Sequence, residues 1–271
     1  MTDTITDHAD PTLKAGIPLV EMENVGKAYG AIRALEGINL RVNAGEVACV
    51  LGDNGAGKST LIKIISGLHQ QSEGELLVDG ESMKFGSPAD ALDKGIATVY
   101  QNLAVVPLMP VWRNFFLGQE VRKKSFPFSL DANAMRATTL TELSKMGIEL
   151  PDVDAPIGSL SGGQRQCVAI ARAVFFGARV LILDEPTAAL GVKQSGVVLK
   201  YITAAKEAGF GVVFITHNPH HAHMVGDHFV LLNRGRQKLD CAYEDITLDH
   251  LTQEMAGGDE LEALTHELGR K

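Results

Sequence analysis

Gly52-Asp53-Asn54-Gly55-Ala56-Gly57-Lys58-Ser59 sets glycines, a lysine and a hydroxyl at the spacing G-x-x-x-x-G-K-[ST]. Glycines let successive backbone N–H groups turn inward and form a concave anion site, here lined by Gly52, Asn54, Gly55, Ala56 and Gly57. The helical pattern that begins at Lys58 and runs through Thr60 aims its positive end at the same point. Lys58 adds a charge for the β- and γ-phosphates of a nucleotide. Ser59 offers an oxygen to Mg2+, a cation that keeps several waters and takes few protein ligands. The apolar run at 46–51 leads into the loop, so the context is strand, loop and helix rather than a chance glycine-rich turn.

A second constellation is Val180-Leu181-Ile182-Leu183-Asp184-Glu185. A near-continuous apolar run reads as a buried parallel strand. It delivers two carboxylates at its C-terminal end, where ligands sit in open α/β sheets. Asp184 is expected in the Mg2+ shell and Glu185 as the general base that polarises an attacking water. These two motifs together do not separate kinases, GTPases and ATPases. Leu160-Ser161-Gly162-Gly163-Gln164 does, because it starts a helix and forms a second phosphate-binding end. Its plain alternative is an ordinary helix start, for which Ser161 is a suitable cap. One γ-phosphate is not easily served by two such loops placed far apart in one fold. The economical arrangement is two chains, head to tail, each closing the other's site.

The elements that must position these groups follow from periodicity. Strands are expected at 19–25, 32–42, 46–51, 75–78, 96–100, 180–184, 211–216 and 228–232, and helices at 58–68 and 193–207. Between 102 and 177 the spacing is helical (109–119, 132–146, 162–176), with no convincing strand. This predicts an α/β fold, a parallel sheet with an inserted helical subdomain. The expected divisions are a disordered leader (1–18), an ATPase core (19–101 and 178–240), a helical subdomain carrying Ser161–Gln164 (102–177) and an acidic tail (241–271), amphipathic in part over 248–268.

With 271 residues, 45% of them hydrophobic and 21% charged, the chain can bury a large core. A net charge of −8 argues against a partner held by its phosphate backbone, so nucleic acid is not expected. No apolar run approaches the ~20 residues of a membrane span. The polar, acidic start does not resemble a signal peptide, which places the chain in the cytoplasm. Its three cysteines, Cys49, Cys167 and Cys241, are read as free thiols.

Over about 19–239 the sequence resembles the ATP-binding subunits of ABC transporters, a P-loop NTPase fold with an antiparallel β edge; Leu160–Gln164 matches that family's signature motif. The resemblance implies that Tyr29 stacks on adenine and that Gln101 links Mg2+ and water to the membrane partner. It further implies that His217 is the switch histidine at the γ-phosphate, and that two copies sandwich two ATP molecules. Each residue has a plain alternative: an edge aromatic, a polar loop residue, a structural strand-end histidine. The chain departs from the family at Ala188-Ala189-Leu190-Gly191, where many members have serine-alanine-leucine-aspartate, which leaves the cross-chain wiring open. The run 185–193 resembles bacterial monosaccharide importers of the fructose and ribose kind. It implies an integral membrane permease partner, a periplasmic-type sugar-binding protein acting indirectly, and a peripheral position on the inner face of the membrane. The competing readings are a soluble ABC ATPase without a pore and a transporter ATPase for a non-sugar substrate. Trp112, Phe115 and Phe116 are read as the helical subdomain's own core rather than a partner's docking surface. His220–His223 are read as solvated helix surface rather than a metal site.

Overall fold

A computed structural model describes residues 16–123, 126–150 and 152–256. The strands are β1 (Val20–Tyr29), β2 (Ile32–Val42), β3 (Val47–Leu51), β4 (Glu73–Val78), β5 (Glu81–Ser82), β6 (Ile96–Val99), β7 (Arg122–Lys123), β8 (Phe126–Leu130), β9 (Val180–Asp184), β10 (Gly211–Thr216), β11 (His228–Asn233) and β12 (Arg236–Ala242). The helices are α1 (Lys58–Ile65), α2 (Pro88–Asp93), α3 (Val111–Phe115), α4 (Ala132–Lys145), α5 (Gly162–Phe175), α6 (Val192–Glu207), α7 (Pro219–Val225) and α8 (Leu248–Met255).

Every residue of β3 is buried, which requires cover on both faces of the sheet. The strand period of two then deals its side chains into two cores. Val47, Cys49 and Leu51 enter one core, with Leu181 and Leu183 of β9 and Val212 and Phe214 of β10. Ala48 and Val50 enter the other, with Ile182, Val213 and the α1 residues Leu61, Ile62, Ile64 and Ile65. Ten strands form one sheet in the order β5-β4-β1-β2-β12-β11-β3-β10-β9-β6. The run β11-β3-β10-β9-β6 is parallel, and β1, β2, β4 and β5 pair antiparallel at the other edge. The expected architecture, an α/β sheet with an antiparallel edge, is therefore present.

The helical stretch differs from expectation in two respects. A ribbon, β7 paired with β8 through Arg122 and Leu130, lies where no strand was expected. β7 has only two residues, and a proline within the Phe126–Leu130 run argues against a strand there. The ribbon's ends are tied instead by Asp131 N–H donating to the Val121 carbonyl at 2.8 Å. The helix expected over 109–119 is shorter, because Pro110 caps it and the chain turns at Gly118 with φ +81°. Trp112, Phe115 and Phe116 are buried, and the two phenylalanines pack against Phe175 and Phe176 with centroids 5.5–6.1 Å apart, so these aromatics are core.

Further departures are extensions and additions. β1 continues to Tyr29, and β12 and the capped helix α2 were not anticipated. Of the stretch read as amphipathic over 248–268, α8 is the described part; residues 257–271 and 1–15 lie outside the described residues.

Candidate functional site

The C-terminal ends of β3, β9 and β10 lie side by side in the sheet, and each breaks into a loop that carries a candidate residue. After β3 the chain turns at Gly52 with φ +144°, where a Cβ would meet the Leu232 carbonyl at 2.5 Å. At Gly57, the N-cap of α1, φ is +111° and a Cβ would lie 2.6 Å from Leu35 Cδ2. Only glycine satisfies both conditions at these two positions. Gly55 has φ +85° with no neighbouring atom within 4 Å of its Cβ direction, so the loop presents an open backbone there. The loop is held from behind, since Gly235 N–H, in the turn between β11 and β12, donates to the Ala56 carbonyl at 2.9 Å. Ser59 is exposed and Thr60 half-buried, in the first turn of α1.

Lys58 is buried, and its ammonium donates to the carbonyls of Gly52 and Asp53, the latter at 3.1 Å. It also lies 3.9 Å from Glu185 Oε1. Burial draws the Lys58 ammonium below the usual lysine range, while Glu185, Asp53 and Asp184 oppose that shift. Burial holds the Asp184 carboxyl above the ordinary carboxylate range, and the charge of Glu185 adds to this. Lys58 and the backbone N–H of Gln101 pull Asp184 the other way. Two crowded carboxylates facing one amine make a site in which a further cation is favourable. Among the described residues no three His, Cys, Asp or Glu side chains cluster as a metal cage. Asp184, the Ser59 hydroxyl and the exposed Gln101 carry oxygen donors, few in number, of the kind that Mg2+ takes.

Glu185 has φ +48°, and its N–H donates to the Ile215 carbonyl of β10 at 2.9 Å. Its side chain is mostly buried, and Oε2 lies 2.9 Å from His217 Nδ1. The structure thus brings together Lys58, Asp184, Glu185, His217 and the backbone of Gln101. A carboxylate set between a histidine and a buried lysine has the chemistry of a proton acceptor.

Tyr29 stands apart from this group at the end of β1. It is 41% exposed, with His69 edge-on at 5.6 Å and the Lys27 ammonium 5.1 Å from its ring centre, so its ring is accessible to a planar partner. Ser161 and Gln164 form a capping box at the start of α5. Ser161 Oγ accepts from Gln164 N–H at 3.3 Å, a bond that leaves the hydroxyl proton to be donated elsewhere. A Cβ on Gly162 would lie 2.6 Å from Leu190 Cδ2, and one on Gly163 3.2 Å from Gln194 Cβ. The Ser161–Gln164 loop therefore seats on the start of α6, whereas the loop at Gly52–Gly57 seats on Leu232 and Ala34–Leu35.

The histidine run is not simply solvated. His221 Nδ1 pairs with the Thr187 hydroxyl at 2.9 Å, and burial, with His220 and His217 nearby, draws His221 below the usual histidine range. His223 stacks on Phe229 and lies tilted against Tyr243. Sequence reasoning missed Thr187 and His221 as members of the site. The one available signal was Asn218-Pro219, a cap and first-turn proline that orient the histidines after them.

A family model described as "ABC transporter" matches residues 35–188. The xylose/arabinose import ATP-binding protein of Sulfolobus acidocaldarius is 43% identical over 88% of this chain and 93% of its own length. The fructose import ATP-binding protein of Rhizobium meliloti is 40% identical over 90% and 95%. Among solved structures, a dimeric ATP-binding cassette in a post-hydrolysis state with ADP and Pi bound is 27% identical, with a TM-score of 0.69 over 83% of this chain and 98% of that one. A cassette in its ADP conformation, 24% identical, shares the fold with a TM-score of 0.76 over 91% and 98%.

Proposed function

The chain belongs to the ABC transporter ATP-binding family, and from that premise we propose that it binds and hydrolyses ATP to drive import of a monosaccharide through a separate membrane permease. The observation that carries the hydrolytic part is Glu185, set between His217 at 2.9 Å and Lys58 at 3.9 Å at the mouth of the phosphate loop. The sugar part rests on the two import relatives.

In this reading Tyr29 stacks on adenine, and Gly52–Thr60 wraps the phosphates with backbone N–H groups and the Lys58 ammonium. Asp184, Ser59 and Gln101 would hold Mg2+, which would supply positive charge to the phosphates. Glu185 accepts the proton of the attacking water while His217 orients that water and senses the γ-phosphate. Ser161, Gly162, Gly163 and Gln164 close the same site from a second copy of the chain. Catalysis is then positioning together with charge stabilisation, and loss of the γ-phosphate opens the pair.

Among the described residues no helix is long and apolar enough to cross a membrane. We assign the chain to the cytoplasmic face of the membrane, docked on its permease. Tyr100, Leu103, Val105, Leu117 and Phe176 line a half-open groove of ≈ 440 Å3 beside Gln101, which supports docking there. A periplasmic-type binding protein selects the sugar. The test is ATP turnover in proteoliposomes that hold the chain with its permease. Pentose- or hexose-loaded binding protein accelerates hydrolysis; acceleration by amino acids or lipids, with no response to any sugar, overturns the import reading.

A further inference from the structure

The contacts around Glu185 and His217 form a closed circuit, and only half of it is explained by the chemistry at the phosphate. One link is the Glu185–His217 contact at 2.9 Å. The other lies behind it, where Thr187, two residues after Glu185, meets His221, four residues after His217, at 2.9 Å. Thr187 is buried at 6% exposure, so its hydroxyl is withdrawn from water and its partner matters. The α7 end of the circuit is stiff. Asn218 caps the helix by accepting from His221 N–H at 3.2 Å, and Asn218 N–H donates to the buried Thr216 hydroxyl at 3.1 Å. The turn end is stiff as well, with Ala188 N–H donating to the Glu185 carbonyl at 3.0 Å and Leu190 N–H to the Thr187 carbonyl at 3.3 Å. Leu190 in turn rests against Gly162.

We propose that His221 is a positioning residue for ATP hydrolysis: bonded to Thr187, it clamps the turn after Glu185 to the helix after His217, so that carboxylate and imidazole meet in one geometry. The Glu185 backbone is already bonded to Ile215 of β10, but the exposed His217 side chain meets Glu185 through one contact, about which it is free to pivot. A second contact on the far side removes the pivot. The same clamp ties the His217 loop to Leu190, and through it to the Ser161–Gln164 loop of the same chain. The inference rests on reading Glu185 and His217 as the water-handling pair.

The test uses the full chain with Mg-ATP and steady-state kinetics. His221→Leu is expected to lower kcat about 10-fold or more, within the range that small misplacements produce, with KM for ATP little changed. His221→Asn sets amide atoms where Nδ1 stands and restores most of the rate. Thr187→Val reproduces the loss, and the His221→Leu/Thr187→Val pair is no worse than either single change, because one interaction is removed in all three. A role confined to stability instead lowers the melting temperature of the Leu and Asn variants alike, without a kcat-specific loss. Unchanged kcat in both His221→Leu and Thr187→Val overturns the inference, as does additive loss in the pair. Glu185→Gln separates the two levels. If Glu185→Gln is inactive while His221→Leu runs at the wild-type rate, only the clamp is lost; if Glu185→Gln also runs at the wild-type rate, the reading of Glu185 falls with it.

Discussion

Replacing Glu185 by glutamine keeps the side chain's shape and removes its charge. At 3.9 Å, with side chains only 8% and 11% exposed, the Lys58–Glu185 attraction is about 4 kcal/mol at an effective dielectric near 20. Its loss is opposed by relief of the Glu185 repulsion that, after burial, adds to holding Asp184 above the ordinary carboxylate range. The two effects have opposite signs, and the amide still reaches His217 Nδ1, so the fold and ATP binding are expected to survive. The proton acceptor does not. A positioned general base contributes roughly 10²–10⁴-fold, or about 3–5 kcal/mol of barrier. Phosphate release with Mg-ATP should therefore fall by that factor. Size exclusion should show a dimer that persists with ATP and dissociates with ADP. Turnover within about threefold of wild type, well short of a general base's contribution, removes Glu185 from the proton-accepting role. A variant that stays monomeric with Mg-ATP removes the two-chain closure instead.

Tyr29→Ala should raise KM for ATP with kcat little changed, since aromatic stacking on a base is worth about 1–3 kcal/mol and the ring is exposed; nucleotide titration of binding checks it. In the native protein, thiol titration at mildly alkaline pH should leave Cys49 and Cys167 unreacted. Burial pushes the Cys167 thiol up to about 12 and Cys49 higher still, so neither carries appreciable thiolate; urea should expose them, and rapid native reaction of both contradicts the burial. Gly191, the N-cap of α6, has extended backbone at φ −71° and ψ 162°, with nothing within 4 Å of a Cβ. Gly191→Asp should therefore cap the helix and add a few tenths of a kcal/mol, read as a small rise in melting temperature; a fall would mean the turn needs glycine for a reason other than space.

The local chemistry was legible in the chain, because short-range rules encode it. The Gly52–Gly57 loop needs left-handed backbone freedom at Gly52, Gly55 and Gly57, and glycine spacing announces that. The strand carrying Asp184 announces itself by an apolar run that ends in charge. The starts of α5 and α7 announce themselves by Ser161 and by Asn218-Pro219. Tertiary structure decided what lies beside what. Glu185 meets His217 because β9 and β10 are neighbours in register, although 32 residues separate the two side chains. Thr187 meets His221 for the same reason, at a separation of 34. The seating of Gly162 on Leu190, and the short ribbon of β7 and β8, likewise depend on contacts that no window of sequence contains. Periodicity records which face of an element is buried; it does not record the partner, because any apolar face of the right shape serves the hydrophobic effect equally, and only the closed topology selects one.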